Sequence, residues 1–401
     1  MKNQMTQKIL TRNFLLAFFA QFAFTSVFYI LIPTLPIYLS RLGSTEAEIG
    51  VLIGIFFFSS LILKPFVGRS LLKIHEKNFM IAGTILFALT SAAYLLAPPF
   101  WPLLIVRVFQ GIGYAFFLTA AYTLVANISP EGHRGQSLSY FYLAFNISGA
   151  LAPTLGMFVI NHFSFRHLFF VCLGLSLCSL FISNKLRRGQ VAPLGDSSME
   201  DGFFLSRKAL PPSIINSFSF FIWGALAAFF PLYAISHGVA NPGLFFTTIA
   251  ITLILGRALG GKIFDLYSRE RIILPCLFTY IISMAILAFS KTLPMFILVA
   301  AIWGIGHAFL MPSLAVYALD RAGSSPGPVM GTFTAMTDLG ISLGPVIMGI
   351  ILAMANCPTM FLCLALTGII NLNYFYFFMR KKRDRLMMHI LPSHRYLELL
   401  N

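Results

Sequence analysis

Charged residues are scarce in this 401-residue chain, and acidic residues are the scarcest. Asp and Glu total 13 against 28 Lys and Arg, and the four types together make up 10% of the sequence, where a soluble domain has roughly 25%. Because 58% of the residues are apolar, a soluble globule of this composition could not cover its surface with polar groups. The composition therefore excludes an ordinary soluble protein and favours a chain surrounded largely by lipid.

The sequence also lacks the motifs of catalysis, nucleotide binding and metal binding. Its five cysteines form no Cys-x-x-Cys or Cys/His spacing. It contains no Gly-Lys-Ser/Thr loop that would cradle a phosphate, and no Ser/His/Asp set at a plausible spacing. Basic residues occur in short clusters between apolar runs, which argues against nucleic-acid binding. We therefore expect neither an enzyme nor a protein that carries a cofactor or metal.

Long apolar runs are what the sequence has in abundance. A bilayer core of about 30 Å requires about 20 helical residues, and twelve runs of that length are separated by charges, Pro or Gly. They cover residues 13–39, 46–71, 78–97, 101–126, 135–160, 166–184, 211–236, 243–264, 272–290, 294–319, 328–353 and 357–379. The predicted fold class is an all-α integral membrane protein with twelve membrane helices.

Basic residues fall almost entirely on one side of these twelve runs. With the N terminus inside, 24 of the 28 Lys and Arg lie on the inner side and three on the outer side, while Arg107 falls within the fourth run. Because cytoplasmic loops carry an excess of Lys and Arg, we expect both termini in the cytoplasm and a multi-pass protein of the cell (inner) membrane. The same bias explains the net charge of +15 without an anionic partner.

Segments about 193 residues apart resemble one another. The matches are 36–38 with 231–233, 64–69 with 257–262, and 111–116 with 304–309. Three matches in register indicate two six-helix halves in one orientation, related by a pseudo-two-fold axis along the membrane normal. We therefore predict an N-terminal bundle over 1–184, a polar cytoplasmic linker over 185–208, a C-terminal bundle over 209–379 and a basic cytoplasmic tail over 380–401.

Several motifs of the chain resemble those of the Major Facilitator Superfamily, and more narrowly its drug and metabolite exporters of the proton-antiporter type. They are the loop motif with Gly68, Arg69 and Lys73, its second copy with Gly261, Asp265 and Arg269, the fourth-span Arg107-x-x-Gln110-Gly111 motif, and the fifth-span Gly/Pro segment that includes Pro153. The resemblance implies two pseudo-symmetric bundles that alternate access, with the loop residues, Pro153 and its counterpart Pro345 acting in conformational gating. It also implies that Arg107 couples proton and substrate occupancy.

Three ionisable residues lie deep within predicted helices, and we assign them to proton coupling. Arg107, His307 and Asp338 stand well inside the fourth, tenth and eleventh runs, where ionisable groups are costly and mark function by default. Each also has a structural reading. Asp338 could be permanently ionised and paired with a basic group that holds the halves together, His307 could be neutral and satisfied by a neighbouring helix, and Arg107 could donate to helix-end carbonyls.

Polar and aromatic residues on the same helices form a candidate substrate site near the midplane. Asn146 precedes Pro153 by seven residues just as Asp338 precedes Pro345, so it is the counterpart of that acid in the other half. The full set comprises Gln21, Thr25, Tyr29, Gln110, Tyr114, Asn146, Asn216, Trp223, Trp303 and Thr334. Interhelical hydrogen bonding and ordinary packing are the alternative roles for these side chains.

Together these features predict a secondary active transporter that exports a small organic molecule in exchange for protons. Its partners would be that molecule, protons and the lipid bilayer, with no nucleic acid, and we expect a monomer. An importer that carries a metabolite together with protons uses the same scaffold, so it remains an alternative. A membrane scaffold or sensor without transport is the rival from another class.

Overall fold

The structure is a computed structural model that describes residues 10–71, 73–96, 100–130, 134–187, 206–259, 267–322 and 326–380. These residues form twelve α-helices and a short π-helical segment, Phe375–Arg380, with no strand in the ranges just given. The helices are α1 Arg12–Arg41, α2 Glu46–Ser70, α3 Glu76–Ala93, α4 Trp101–Ile128, α5 Arg134–His162, α6 Phe165–Asn184, α7 Leu210–Ser236, α8 Gly243–Leu259, α9 Arg269–Phe289, α10 Leu293–Ala322, α11 Pro326–Met354 and α12 Cys357–Tyr374.

The helices correspond one for one to the predicted spans. Ten of them are long and apolar enough to cross a membrane, whereas α3 and the shorter α8 do not reach that threshold in the described chain. Polar caps fix several of the starts. At α2, the Thr45 hydroxyl accepts from the Glu48 backbone N–H and the Glu48 carboxylate accepts from the Thr45 N–H, at 3.3 and 2.8 Å. This capping box satisfies two donors that a helix start leaves unpaired.

Consecutive helices run in opposite directions, so the bundle has two ends. Lys77, at the start of α3, donates to the carbonyl of Asn184 at the end of α6 at 2.5 Å. Tyr38 near the end of α1 donates to the carbonyl of Tyr94 after α3 at 3.2 Å. We call the end where α6 finishes and α7 begins the linker end, and the other the distal end. Most of the linker, 188–205, and the tail, 381–401, lie outside the described residues.

Contacts within the first six helices recur within the last six at the predicted offset. The recurring pairs are Tyr38–Tyr94 with Tyr233–Ser290, Phe56–Gly111 with Ile249–Gly304, Gly83–Gly113 with Cys276–Gly306, and Glu76–Asn127 with Arg269–Asp320. Glu76–Asn127 and Arg269–Asp320 join the same helix ends by different chemistry. In the first half a carboxylate accepts from an amide, and in the second the guanidinium of a partly buried arginine binds a carboxylate. The two bundles are therefore pseudo-symmetric in contacts as well as in sequence, while the domain boundaries stay a prediction.

The two halves approach each other most closely toward the distal end. In α2, Gly50 and Gly54 face the carbonyls of Pro345 and Ser342 in α11, and in the pseudo-equivalent crossing Gly243 of α8 faces the Pro153 carbonyl of α5. Small residues let helix backbones come this close. Thr154 and Thr247 add a hydrogen bond of 2.9 Å across the α5–α8 crossing. The distal end is thus closed by backbone against backbone.

We predict that Gly50→Ala destabilises this closed arrangement. A Cβ at Gly50 would overlap the Pro345 carbonyl, and overpacking of this kind costs about 1–3 kcal/mol. Gly174→Ala is the matched control, because nothing lies within 4 Å of a Cβ at that helical position. The thermal midpoint of detergent-purified protein should fall for Gly50→Ala and stay level or rise for Gly174→Ala. Equal midpoints would show that the α2–α11 crossing is not this tight.

Candidate functional site

An ion pair joins the two halves near the middle of the bundle. Lys64 of α2 donates to the Asp338 carboxylate of α11 at 2.5 Å. Asp338 lies twelve residues into α11, about 18 Å along the helix from its linker end at 1.5 Å per residue. Its side chain is 7% exposed, whereas that of Lys64 is 25% exposed. The acid is therefore sealed within the protein, and its cationic partner reaches it from the linker end.

The surroundings of this pair combine aromatic and polar groups of both halves. The Lys64 ammonium lies 6.0 Å from the ring centre of Tyr114 in α4. One turn before Asp338, the exposed Thr334 hydroxyl donates only to carbonyls of its own helix. On the adjacent face of α11, Thr337 accepts from the amide of Asn216 in α7 at 2.6 Å. Asn216 thus joins two helices of one half and stands beside the pair rather than in it.

Arg107 is buried between α4 and α2 with its donors engaged. Its Nε donates to the carbonyl of Leu52 at 2.8 Å and one terminal nitrogen donates to the Gln110 side-chain oxygen at 2.7 Å. That oxygen also accepts from the hydroxyl of Tyr94 at 2.8 Å. The guanidinium lies 4.5 Å from the ring centre of Phe56. Arg107 thus donates to a carbonyl of a neighbouring helix, but Leu52 lies within α2 rather than at a helix end. The coupling role of Arg107 stays a prediction.

A small cavity of about 30 Å³ separates the two halves beside Arg107. Its walls are mostly apolar, with Arg107 and Gln110 from the first half and Trp223 and Ala227 of α7 from the second. A space of this size holds a water molecule or two but no organic molecule.

The first-half substrate candidates divide between the cavity walls and the packing between helices. Gln21 donates to the hydroxyl of Tyr122 at 3.3 Å, while its own side-chain oxygen is buried without a partner in the described chain. Thr25 donates to Ser148 at 2.9 Å and thereby ties α1 to α5. Tyr29 packs against Gly149 and against the ring of Phe145 at 5.0 Å. Asn146 is partly buried in α5, and no contact defines its role.

His307 packs within its own half. Its Nδ1 and the hydroxyl of Tyr280 in α9 form a hydrogen bond of 2.5 Å, and its ring stacks on Trp303 at 4.6 Å. Trp303 in turn stacks on Trp223 at 5.2 Å. Within the described chain no hydrogen bond joins His307 to Asp338. The geometry matches a histidine satisfied by a neighbouring helix, and a proton relay through it stays a prediction.

The predicted gating residues lie at two levels of the bundle. Pro153 and Pro345 form the close crossings near the distal end, where their carbonyls face Gly243 and Gly50. Gly68, Arg69 and Lys73 lie at the end of α2 and just after it, with open space around Gly68. Arg269 begins α9 and binds Asp320 of α10 at 2.9 Å. Gly261 and Asp265 fall outside the described residues.

Two basic residues of this site were not among those predicted. Counting charges by side placed Lys64 and Arg257 with the inner loops, but both lie inside helices, in α2 and α8. Arg257 lies over the ring of Tyr142 in α5, 5.4 Å from its centre. Each therefore reaches from one half to the other. The available signal was their alignment, since Lys64 and Arg257 are 193 residues apart.

Comparison with known proteins identifies the architecture. The family model of the Major Facilitator Superfamily matches residues 17–326 and 213–386. The staphylopine export protein of Staphylococcus aureus strain Mu50 is 25% identical over 375 residues, covering 88% of this chain and 91% of that protein. The quinolone resistance protein NorA of Staphylococcus aureus strain COL is 25% identical over 341 residues, covering 80% and 84%.

Solved structures share the fold. The nucleoside transporter NupG superposes with a TM-score of 0.75 at 16% identity, covering 92% of this chain and all of its own. The human organic anion transporter MFSD10 (TETRAN) superposes with a TM-score of 0.67 at 16% identity, covering 90% and 98%. The predicted fold class and family resemblance are thereby confirmed, and these relatives are membrane transporters rather than enzymes. In the described ranges, no three His, Cys, Asp or Glu side chains stand close enough to hold a metal ion.

We predict that Arg107→Lys destabilises the protein although it keeps the charge. A single ammonium cannot bind the Leu52 carbonyl and the Gln110 oxygen in the fork geometry of a guanidinium, and each hydrogen bond to a charged group contributes about 1.5–3 kcal/mol. Arg166→Lys, on an exposed arginine of α6, is the control. Thermal unfolding in detergent should show a lower midpoint for Arg107→Lys alone. Equal midpoints for Arg107→Lys and Arg166→Lys would mean that the paired hydrogen bonds of the Arg107 guanidinium are dispensable for stability.

Proposed function

We propose that this chain, which belongs to the Major Facilitator Superfamily, exports a small organic molecule in exchange for protons. The matched family and the coverage of nearly the whole chain support alternating access between two halves. The names of two relatives, a staphylopine export protein and a quinolone resistance protein, support outward transport. We further propose a monomer in the cell membrane with both termini in the cytoplasm, so that the linker end faces inward.

The observation that carries the proposal is the Lys64–Asp338 pair. Its members belong to opposite halves and meet within the bundle. Rocking of the halves changes the separation of α2 and α11, so the pair must form and break during a transport cycle. An ionised Asp338 without its partner would be a buried charge, which is costly at membrane depth. Protonation removes that cost, since a neutral carboxyl group can leave Lys64 without stranding a negative charge.

The exchange of a proton for the substrate follows from the need to protonate Asp338 before it separates from Lys64. In the conformation seen here, the distal end is closed and Asp338 is paired, which corresponds to a carboxylate that has released its proton toward the linker end. Opening toward the distal side would separate the pair and favour proton uptake from that side. The cycle then returns a proton inward for each substrate carried outward. Lys64 and the phenol of Tyr114 are the titratable groups that face Asp338 in the described chain.

Asp338→Asn tests the proton step directly. The amide imitates a carboxyl group that never loses its proton, so we expect exchange of substrate across the membrane without a gradient to persist, while accumulation driven by a pH gradient falls at least tenfold. The assay uses proteoliposomes with an acidic lumen and a panel of small organic molecules that includes quinolones. Asp338→Glu is the control, because it keeps a titratable carboxyl group and should retain partial accumulation.

Two outcomes would contradict the proton exchange. Accumulation by Asp338→Asn at the wild-type rate would remove Asp338 from coupling. Loss of both exchange and accumulation would favour the alternative in which the pair only holds the halves together. If wild-type protein instead accumulates substrate only when protons flow in the same direction as the substrate, the chain is an importer.

The orientation of the chain in the membrane has its own test. We expect alkaline phosphatase fused after Asn401 to be inactive in bacterial cells and a green fluorescent protein fused there to be fluorescent, because the tail should remain in the cytoplasm. Matching fusions in the loop between α1 and α2, after Gly43, should give the opposite pattern. Phosphatase activity at the C-terminal fusion would invert the assigned direction of transport.

A further inference from the structure

Arg257 is the pseudo-symmetric counterpart of Lys64, but among the described residues it binds no acid. The two cations stand 193 residues apart, and Asp338 stands 192 residues after Asn146. The position that supplies a carboxylate to Lys64 in one half is therefore an amide in the other. Throughout the described residues Arg257 has no salt bridge, and its Nε is buried without a hydrogen-bond partner. An unpaired guanidinium inside a membrane protein requires a partner from elsewhere.

Three tyrosines of the opposite half lie near this guanidinium, and His307 of its own half also interacts with it electrostatically. The guanidinium lies over Tyr142, and it is near enough to Tyr29 and Tyr122 to interact with both electrostatically. These three residues come from α5, α1 and α4. The hydroxyls of Tyr29 and Tyr142 make no hydrogen bond within the described chain, yet they are not sealed from solvent. The result is a group of donors with an aromatic wall and no anion among them.

Among the described residues near the middle of the bundle, positive charges outnumber negative charges by one. Lys64 and Arg257 supply two positive charges, and Asp338 supplies one negative charge. Arg107 does not alter this count at the open site, because its donors already bind the Leu52 carbonyl and the Gln110 oxygen. One bound anion would therefore neutralise the site. A guanidinium fork fits a carboxylate with two parallel hydrogen bonds.

We propose that Arg257 binds a carboxylate of the transported molecule, so that the cargo is an organic anion or a zwitterion rather than a simple cation. This inference rests on the proposed transport function and names its substrate class. The carboxylate would lie between Arg257 and the phenols of Tyr29 and Tyr142, with the rest of the molecule against the aromatic rings. The cargo thus supplies the acid that Asn146 does not.

The test compares acids with their own neutral amides. Purified protein in detergent, without any gradient, is titrated by thermal shift with matched pairs such as nicotinate and nicotinamide, indole-3-acetate and indole-3-acetamide, and phenylalanine and phenylalaninamide. Bound ligand raises the unfolding midpoint by mass action. We expect one or more acids to stabilise the protein while the corresponding amide does not. Arg257→Gln should weaken binding of that acid at least tenfold, and Arg257→Lys should retain part of it.

Controls separate binding from folding. Arg166→Gln removes the same charge from α6, away from the site, and should bind the acid like the wild type. If Arg257→Gln lowers the midpoint of the free protein, its affinity is measured instead by scintillation proximity with the radiolabelled acid at a temperature where it is folded. If Arg257→Lys loses as much affinity for the acid as Arg257→Gln does, the role of Arg257 is structural and the assignment is overturned.

Other results would overturn the proposal as well. A panel in which no acid stabilises more than its amide contradicts it, and so does unchanged affinity of the acid for Arg257→Gln. Because this assay needs no gradient and no Asp338 chemistry, it fails independently of the proteoliposome experiment. If the protein binds the acid but shows no proton-driven transport, only the exchange mechanism is refuted. If it transports a cation with the proton gradient, and Arg257→Gln does not change that transport, only the proposed substrate class is refuted.

Discussion

A charge placed among apolar helices must find a partner, and this constraint organises the middle of the protein. Asp338 is matched by Lys64 from the other half, and Arg107 is matched by a backbone carbonyl and the Gln110 amide of its own half. The two solutions differ in consequence. A charge satisfied within one half imposes nothing on the movement of the halves, whereas a charge satisfied across them ties its protonation to their separation.

Duplication explains how the site became asymmetric. The two halves keep the same crossings and the same glycine contacts, so their backbones are equivalent. Their polar chemistry has diverged at a few positions, with Asp338 opposite Asn146, His307 opposite Tyr114 and Arg257 opposite Lys64. A symmetric pair of salt bridges would hold the halves equally on both sides. In the described chain a single salt bridge, Lys64–Asp338, joins the two halves, so on our proposal Arg257 is left to bind an anion that enters from outside.

Much of the fold could be predicted from the sequence, and less of the site. Apolar length alone specifies the helices, and the repeat specifies their arrangement, because both signals extend over many residues. The depth of Asp338 was visible, but its partner was not. Lys64 stands six residues before the end of α2, where a lysine can extend toward the surface or fold inward. The bond between His307 and Tyr280 was hidden for a related reason, because a helix pattern does not give the rotation of its neighbour.

The distal end and the middle of the bundle are held by interactions of different kinds, and this difference determines what could control the movement of the two halves. Near the distal end, glycine backbones approach carbonyls of the other half, a contact that depends on shape and does not respond to pH or ligand. Near the middle of the bundle, the cross-half contacts include the Lys64–Asp338 pair and the Arg257–Tyr142 stack. Both depend on charge, so a proton can weaken the first and an anion can replace the second. Packing thus supplies a closure of fixed strength, and on the proposed mechanism a bound proton and cargo shift the balance only at the charged contacts.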